Sequence, residues 1–220
     1  MPILAIDTAS RWTAIAIYDE KNDQTLAEKG WVAQLRQTVE LAPAISKMLA
    51  ETGLEPADLT GISVAIGPGS YTGLRIGLGV AKGLALVHNI PIVPVKTHDI
   101  VAANVPHYLE RLLVGVEAGR KRVLIAPYEW NGEKWEAVGE INNPTWPELF
   151  DAIDGEVVLA GEVPADSAEI IKESHPHIKL LPENESIRSA AVLAKLGAQK
   201  LALGDLPSND EIVPEYLRHP

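Results

Sequence analysis

The chain has 220 residues, 46% of them hydrophobic and 22% charged, enough for one large domain or two small ones, each with its own core. The 19 basic and 30 acidic residues give a formal net charge of −11, which argues against a dominant nucleic-acid surface. With no cysteine, disulfide and thiolate chemistry are excluded.

Ile3 to Thr8 reads as a buried strand, and Thr13 to Tyr18 and Thr25 to Val32 as two more, with turn residues Asp19, Asn22 and Asp23 between them. The stretch Met1 to Ala9 has no basic run ahead of it and is not expected to be a signal peptide. Thr38 to Glu51 carries apolar residues at helical spacing, with Pro43 expected to kink it or mark its true start and Gly53 as its C-cap. Ile62 to Ile66 is a strand, Tyr71 to His88 a helix, Pro91 to Val95 a strand and Thr97 to Asn104 a short helix before Pro106. The order then repeats: strands Leu112 to Val116, Val123 to Glu129 and Trp135 to Ile141, helix Trp146 to Ala152, strand Val157 to Ala160, helix Ala168 to Glu173, strand Ile178 to Leu181 and a final helix Ile187 to Leu203. The repeat predicts an α/β fold of two mixed sheets with helices on them, divided near Pro106 into residues 1–105 and 106–220. The most apolar stretch, Leu74 to Val95, holds Arg75, Lys82, His88 and two prolines, so the expectation is a soluble, cytoplasmic protein.

The densest signal is Gly67 to Gly77, GPGSYTGLRIG. Gly67, Gly69 and Gly73 permit a sharp turn, and Ser70 or Thr72 can cap the helix that follows. Small residues recur every four positions at Gly73, Gly77, Ala81 and Ala85, with a second small row at Gly79 and Gly83. Each interior glycine costs roughly 0.5–1 kcal/mol against alanine, which calls for a close-packing reason. The stripe either packs inside its own domain or faces a partner. The loop lacks the Lys-Ser/Thr ending of a phosphate loop.

ILAIDTAS at Ile3 to Ser10, GPGSYTGLRIGLGVAKGLA at Gly67 to Ala85, VEAGRKRVLIAPY at Val116 to Tyr128 and PEYLR at Pro214 to Arg218 together resemble the TsaB (YeaZ) family, in order along the whole chain. The resemblance implies the two-lobed, duplicated fold of the actin, sugar-kinase and heat-shock-chaperone superfamily, with its RNase H-like sheets. It implies a supporting subunit without catalysis of its own in the synthesis of threonylcarbamoyladenosine in tRNA. Its partners would be the TsaD transferase and the TsaE ATPase, with tRNA met only through the complex, ATP or ADP at the partner interface and no intrinsic cofactor; a homodimer is left open. The family's first two long helices bundle with a second protein, which places Tyr71, Gly73, Leu74, Ile76, Gly77, Val80, Ala81, Leu84 and Ala85 at the partner interface. A histidine–serine pair is frequent in the family at the start of the first long helix, and Gln37 and Thr38 stand there in this chain; Glu117 replaces the aspartate that usually opens the second-domain motif.

A second reading is an active phosphotransferase or ATPase of the same superfamily, using Asp7, Thr8, Gly69, Ser70 and Arg75 around a nucleotide. The bland alternative for Asp7 and Thr8 is a strand end bonded to its own turn. A peptidase reading lacks metal ligands, cysteine and a G-x-S-x-G elbow. The six histidines, His88, His98, His107, His175, His177 and His219, form no H-x-x-x-H pair of the kind the catalytic paralogue carries, and no metal site is expected. The basic run Glu117 to Arg122 reads as a solvated hairpin, and Tyr216 and Leu217 as residues docking the chain's end on a core.

Overall fold

An apolar run such as ILAI can sit only where both faces of a strand are covered, and in the computed structural model it becomes the middle of a sheet. The structure describes residues 1–33, 36–108, 110–118, 121–204 and 206–216. The chain divides into two units, Met1–Thr97 with Ser189–Pro220, and His98–Arg188.

The first unit opens with β1 (Pro2–Asp7), β2 (Trp12–Asp19) and β3 (Gln24–Val32), then α1 (Gln37–Thr52), β4 (Gly61–Gly67), α2 (Tyr71–His88) and β5 (Ile92–Lys96). The sheet order is β3-β2-β1-β4-β5, with β1 antiparallel to β2 and parallel to β4. The two long helices cover one face: Leu41, Ile45 and Leu49 of α1 and Leu78, Ala81 and Ala85 of α2 share a core with Leu4, Ile6, Ile62 and Val64. The other face is covered by a helix from the far end of the chain, α7 (Ala190–Leu203), which packs on β1, β2 and β4. Small residues let it come close. A Cβ on Gly197 would stand 2.5 Å from Ser63 Cβ, and Ser63 Oγ donates to the Leu193 carbonyl at 2.9 Å.

The second unit holds α3 (Thr97–Asn104), whose first residue still counts with the first unit, then β6 (Arg111–Glu117), β7 (Val123–Trp130), β8 (Trp135–Ala137), α4 (Trp146–Ala152), β9 (Val157–Gly161), α5 (Ala165–Ser174), β10 (Ile178–Leu180) and α6 (Glu183–Ser186). Its sheet, β8-β7-β6-β9-β10, repeats the order and strand directions of the first. Alternation splits its core. Val158 and Ala160 face Val101 and Val105 of and after α3, while Val157 and Leu159 face Leu149 and Phe150 of α4 and Ile171 of α5. Glu162, just after β9, pairs with the buried Arg188 and accepts the Glu117 N–H at 2.8 Å, so one carboxylate ties the ends of β6 and β9.

Four expectations change. The last helix starts at Ala190, because the Ser189 side chain accepts from Val192 N and caps it there; residues 183–186 form the separate α6. The strand expected to reach Ile141 stops at Ala137, where its neighbour offers Pro127, which has no N–H to continue the ladder. Pro43 does not mark the start of α1, which begins at Gln37 and carries the proline inside it; the carbonyl it leaves unbonded belongs to the exposed Val39, where water can supply the lost bond. The division at 105/106 is replaced by one in which α3 joins the second unit and α7 the first. Nothing local in an apolar helix names the sheet it will cover.

Candidate functional site: the glycine loop and the two faces of α2

The turn between β4 and α2 is built against the end of β1. Asp7 is fully buried, and its Oδ1 accepts the Ala9 N–H at 2.8 Å. Thr8 Oγ1 donates to the Gly73 carbonyl at 2.7 Å, and Ser70 N–H donates to the Ala9 carbonyl at 2.6 Å. Ser70 caps α2 by accepting the Gly73 N–H at 3.2 Å. Contacts this close require glycine: a Cβ on Gly69 would meet Ala9 O at 2.3 Å and one on Gly73 would meet Thr8 O at 2.0 Å. Asp7, Thr8, Gly69 and Ser70 are therefore brought together, but as a strand end bonded to its own turn. The arrangement does not fit a phosphate. Two first-turn N–H groups are already bonded within the chain, and the carbonyl oxygens of Thr8 and Ala9 face the turn, where they would repel an anion. Arg75 points elsewhere: exposed, it donates to Tyr71 Oη at 2.5 Å and lies 5.3 Å from that ring's centre.

Helical periodicity gives α2 two faces, and the row Gly73, Gly77, Ala81 and Ala85 lies on the inner one. All four are buried, as is Leu74. A Cβ on Gly77 would stand 2.3 Å from Thr8 Oγ1 and 3.5 Å from Ile6 Cγ2. The expected interface role of Gly73, Leu74, Gly77, Ala81 and Ala85 is thereby corrected: the small row exists so that the helix can lie directly on β1. The outer face carries the second small row. Gly79 and Gly83 have open space where a Cβ would be, and beyond them Leu86 and Val87 are 86% and 75% exposed. Ile76, Val80 and Leu84 are half-buried at the boundary, and Tyr71 is exposed. Between α1 and α2 runs an apolar groove of about 480 Å³, lined by Ile45, Leu49, Leu54, Val80 and Leu84 among others. The sequence contained the signal for this face in Gly79, Gly83 and the apolar pair after them.

Gln37, standing where the family's histidine is frequent, is buried and donates from Nε2 to the Ser10 carbonyl at 2.8 Å and Thr13 Oγ1 at 3.1 Å, which fixes the start of α1 on the sheet. Of the histidines, His98 is buried against the Leu124 carbonyl and His107 stacks on Trp130. His175 and His177 meet edge to face beside Phe150. No group of three metal-binding side chains occurs among the described residues. In the basic run, Arg122 donates to the Asn143 carbonyl at 2.6 Å and Lys121 is exposed; Arg120 lies outside the described residues, as do Leu217, Arg218 and His219. Tyr216 rests on the exposed ring of Tyr71 and not in a core. Among the described residues no helix is long and apolar enough to cross a membrane.

Two sheets of one repeated order, each with helices on it, define a two-unit α/β protein with the fold of the actin, sugar-kinase and chaperone type, and in its first unit the glycine turn between β4 and α2 is filled by the backbone at the end of β1. YeaZ from Pseudomonas aeruginosa shares this fold, with a TM-score of 0.79 and 22% identity over 98% of this chain and 99% of that one. The family model described as "TsaD: tRNA N6-adenosine threonylcarbamoyltransferase" matches residues 27–149, more than half of the chain. The tRNA threonylcarbamoyladenosine biosynthesis protein TsaB of Bacillus subtilis is 32% identical, over 99% of this chain and 94% of its own length; that of Escherichia coli is 29% identical, over 100% and 95%. The chain belongs to the TsaB (YeaZ) family.

Proposed function

We propose that this chain is a non-catalytic subunit of the machinery that makes threonylcarbamoyladenosine in tRNA, and that it binds and activates a TsaD-type transferase through the outer face of α1 and α2. The observation that carries this reading is the outer row of α2. Gly79 and Gly83 leave room for another backbone beside an apolar groove, while Leu86 and Val87 stand in water with nothing of their own unit on them. A monomer gains nothing from two open glycines followed by two exposed aliphatic residues. Close approach of a partner helix supplies the dispersion contacts such a surface lacks, and a stable interface would bury roughly 1,200–2,000 Å² in total. The filled turn at Asp7 and Thr8 supports the absence of turnover by this chain alone, so that nucleotide and a TsaE-type ATPase enter through the assembled complex and tRNA is held by the partners.

The test is sedimentation of the chain with a TsaD-type transferase. Gly83→Leu and Leu86→Glu are each expected to weaken association by roughly five- to a hundredfold, the size of an overpacked or charged contact, while the isolated variants melt no more than a degree or two below the parent, with Gly83→Leu free to melt higher by its gain in helix propensity. Undiminished association in both variants would overturn this choice of face. A second copy of the chain on the same face appears in the same experiment as a self-associated species in the absence of the transferase.

A further inference from the structure

Beyond α7 the chain stays with the first unit and closes over the glycine turn. Asn209 fixes it to the sheet edge: its Oδ1 accepts the Ile92 N–H at 2.8 Å and its Nδ2 donates to the Ile90 carbonyl at 2.9 Å. Ile212 is buried in the core beneath α1 and α2. The Glu215 N–H then donates to the Ile66 carbonyl at 2.7 Å, and its carboxylate lies 3.5 Å from Lys96 Nζ. Its carbonyl oxygen sits 2.5 Å from where a Cβ on Gly67 would be. Tyr216 lays its ring on Tyr71, the first residue of α2, with centroids 4.8 Å apart, and Arg75 covers Tyr71 from one turn on.

We propose that residues 213–216 are a clamp on the first turn of α2, and that Glu215 and Tyr216 are positioning residues for the partner-binding face, acting through Tyr71 and Arg75. The proposal rests on the reading that this face seats the transferase. The physical need is local. The first turn of a helix lacks half of its backbone bonds, and here it follows a turn containing Gly67 and Gly69, so its ordering costs more than usual. A partner that had to order it would bind less tightly, and a segment that orders it beforehand removes that cost. The ring contact lies at the surface, with Tyr216 41% and Tyr71 57% exposed, while Ile212 and Asn209 hold the segment independently of it.

The experiment uses the full chain with Tyr216→Ala and Tyr216→Phe. Hydrogen exchange is read over residues 67–76 of the isolated chain, together with thermal melting and association with a TsaD-type transferase. Tyr216→Ala is expected to speed exchange in that stretch about fivefold and weaken association by a similar factor, the scale of one aromatic pair, with little change in Tm. Tyr216→Phe keeps the ring and is expected to behave as the parent. Glu215→Pro, which removes the N–H given to Ile66, is expected to reproduce the alanine variant. Unchanged exchange in Tyr216→Ala overturns the clamp, even if association weakens, because Tyr216 then touches the partner directly. Faster exchange with unchanged association overturns the positioning role, and loss of the whole fold shows the ring to be core and overturns both. If the parent chain does not associate with the transferase at all, the reading of the face fails, and the exchange data alone decide the clamp.

Discussion

Gly77 and Gly79 are two residues apart on one helix, and the structure assigns opposite signs to the same substitution at each. At Gly77 a methyl group would stand 2.3 Å from Thr8 Oγ1, so the hydroxyl must retreat by about 1 Å to reach ordinary contact, and in doing so it gives up its 2.7 Å bond to the Gly73 carbonyl. Overpacking of this kind costs about 1–3 kcal/mol, and a buried hydrogen bond about 0.5–1.5 kcal/mol. Alanine's better helix propensity returns roughly 0.5–1 kcal/mol. Gly77→Ala should therefore be less stable by about 2 kcal/mol, which lowers Tm by roughly 4–8 °C in a chain of this size. At Gly79 nothing lies within 4 Å of the new methyl, and only the propensity gain remains, raising Tm by about 1–4 °C. The assay is thermal unfolding followed by circular dichroism, with both variants and the parent in one buffer. A Gly77→Ala chain that melts at or above the parent would mean that this row does not lie on β1, and the packing argument would fail.

Gln37→Ala should cost about 1–3 kcal/mol, since it removes the donor from the buried Thr13 hydroxyl and the half-buried Ser10 carbonyl; denaturant unfolding measures it. The Tyr18 hydroxyl, which donates to Asp23 at 2.5 Å, is pushed up to about 12 by that bond, by burial and by the carboxylates around it. Its contribution to stability is complete below the ordinary tyrosine value of about 10 and is lost as pH rises through about 12, so near pH 11 the folded chain should show fewer tyrosinates by ultraviolet absorbance than the unfolded chain. Asp19, held down by its bonds to the N-terminal amine, Asn22 and Lys21, and Asp23, held down by Tyr18 and Lys195, act at the other end. Their contribution is present above about pH 4 and is lost as pH falls below it, so acid titration of the melting temperature should fall off there. With a net charge of −11, the isolated chain should not shift tRNA at submicromolar concentration in physiological salt, and a gel showing that shift would overturn the assignment of tRNA to the partners.

Where a helix carried its own punctuation, the sequence was enough. Ser70, one of the two cap candidates read before α2, caps it in the structure, and α2 and α4 both have the predicted bounds. The glycine stripe was legible as a close-packing surface but not as an inward one. Periodicity says which residues share a face and is silent on what covers it. The deciding clue was in β1, whose apolar run demanded a neighbour on each side, and α2 is one of them. Contacts set by distant pieces of chain left no local trace: Glu215 over Gly67, Tyr216 on Tyr71, and α7 on the first sheet. Glu162 had no signal either, because its role depends on Arg188 and on the Glu117 backbone, which only the fold brings to it.

The exchange of helices sets an order of events during synthesis. Residues 98–188 form their unit from one unbroken stretch and can close as soon as they have left the ribosome. The first sheet emerges earlier but must wait, because the helix that shields its second face is translated only after the whole of the other unit. Throughout that interval Ser63 and its apolar neighbours on that face have no cover, and a nascent chain halted before residue 190 would display them to any exposed strand nearby. The sheet built from the earlier strands is thus the last to be finished.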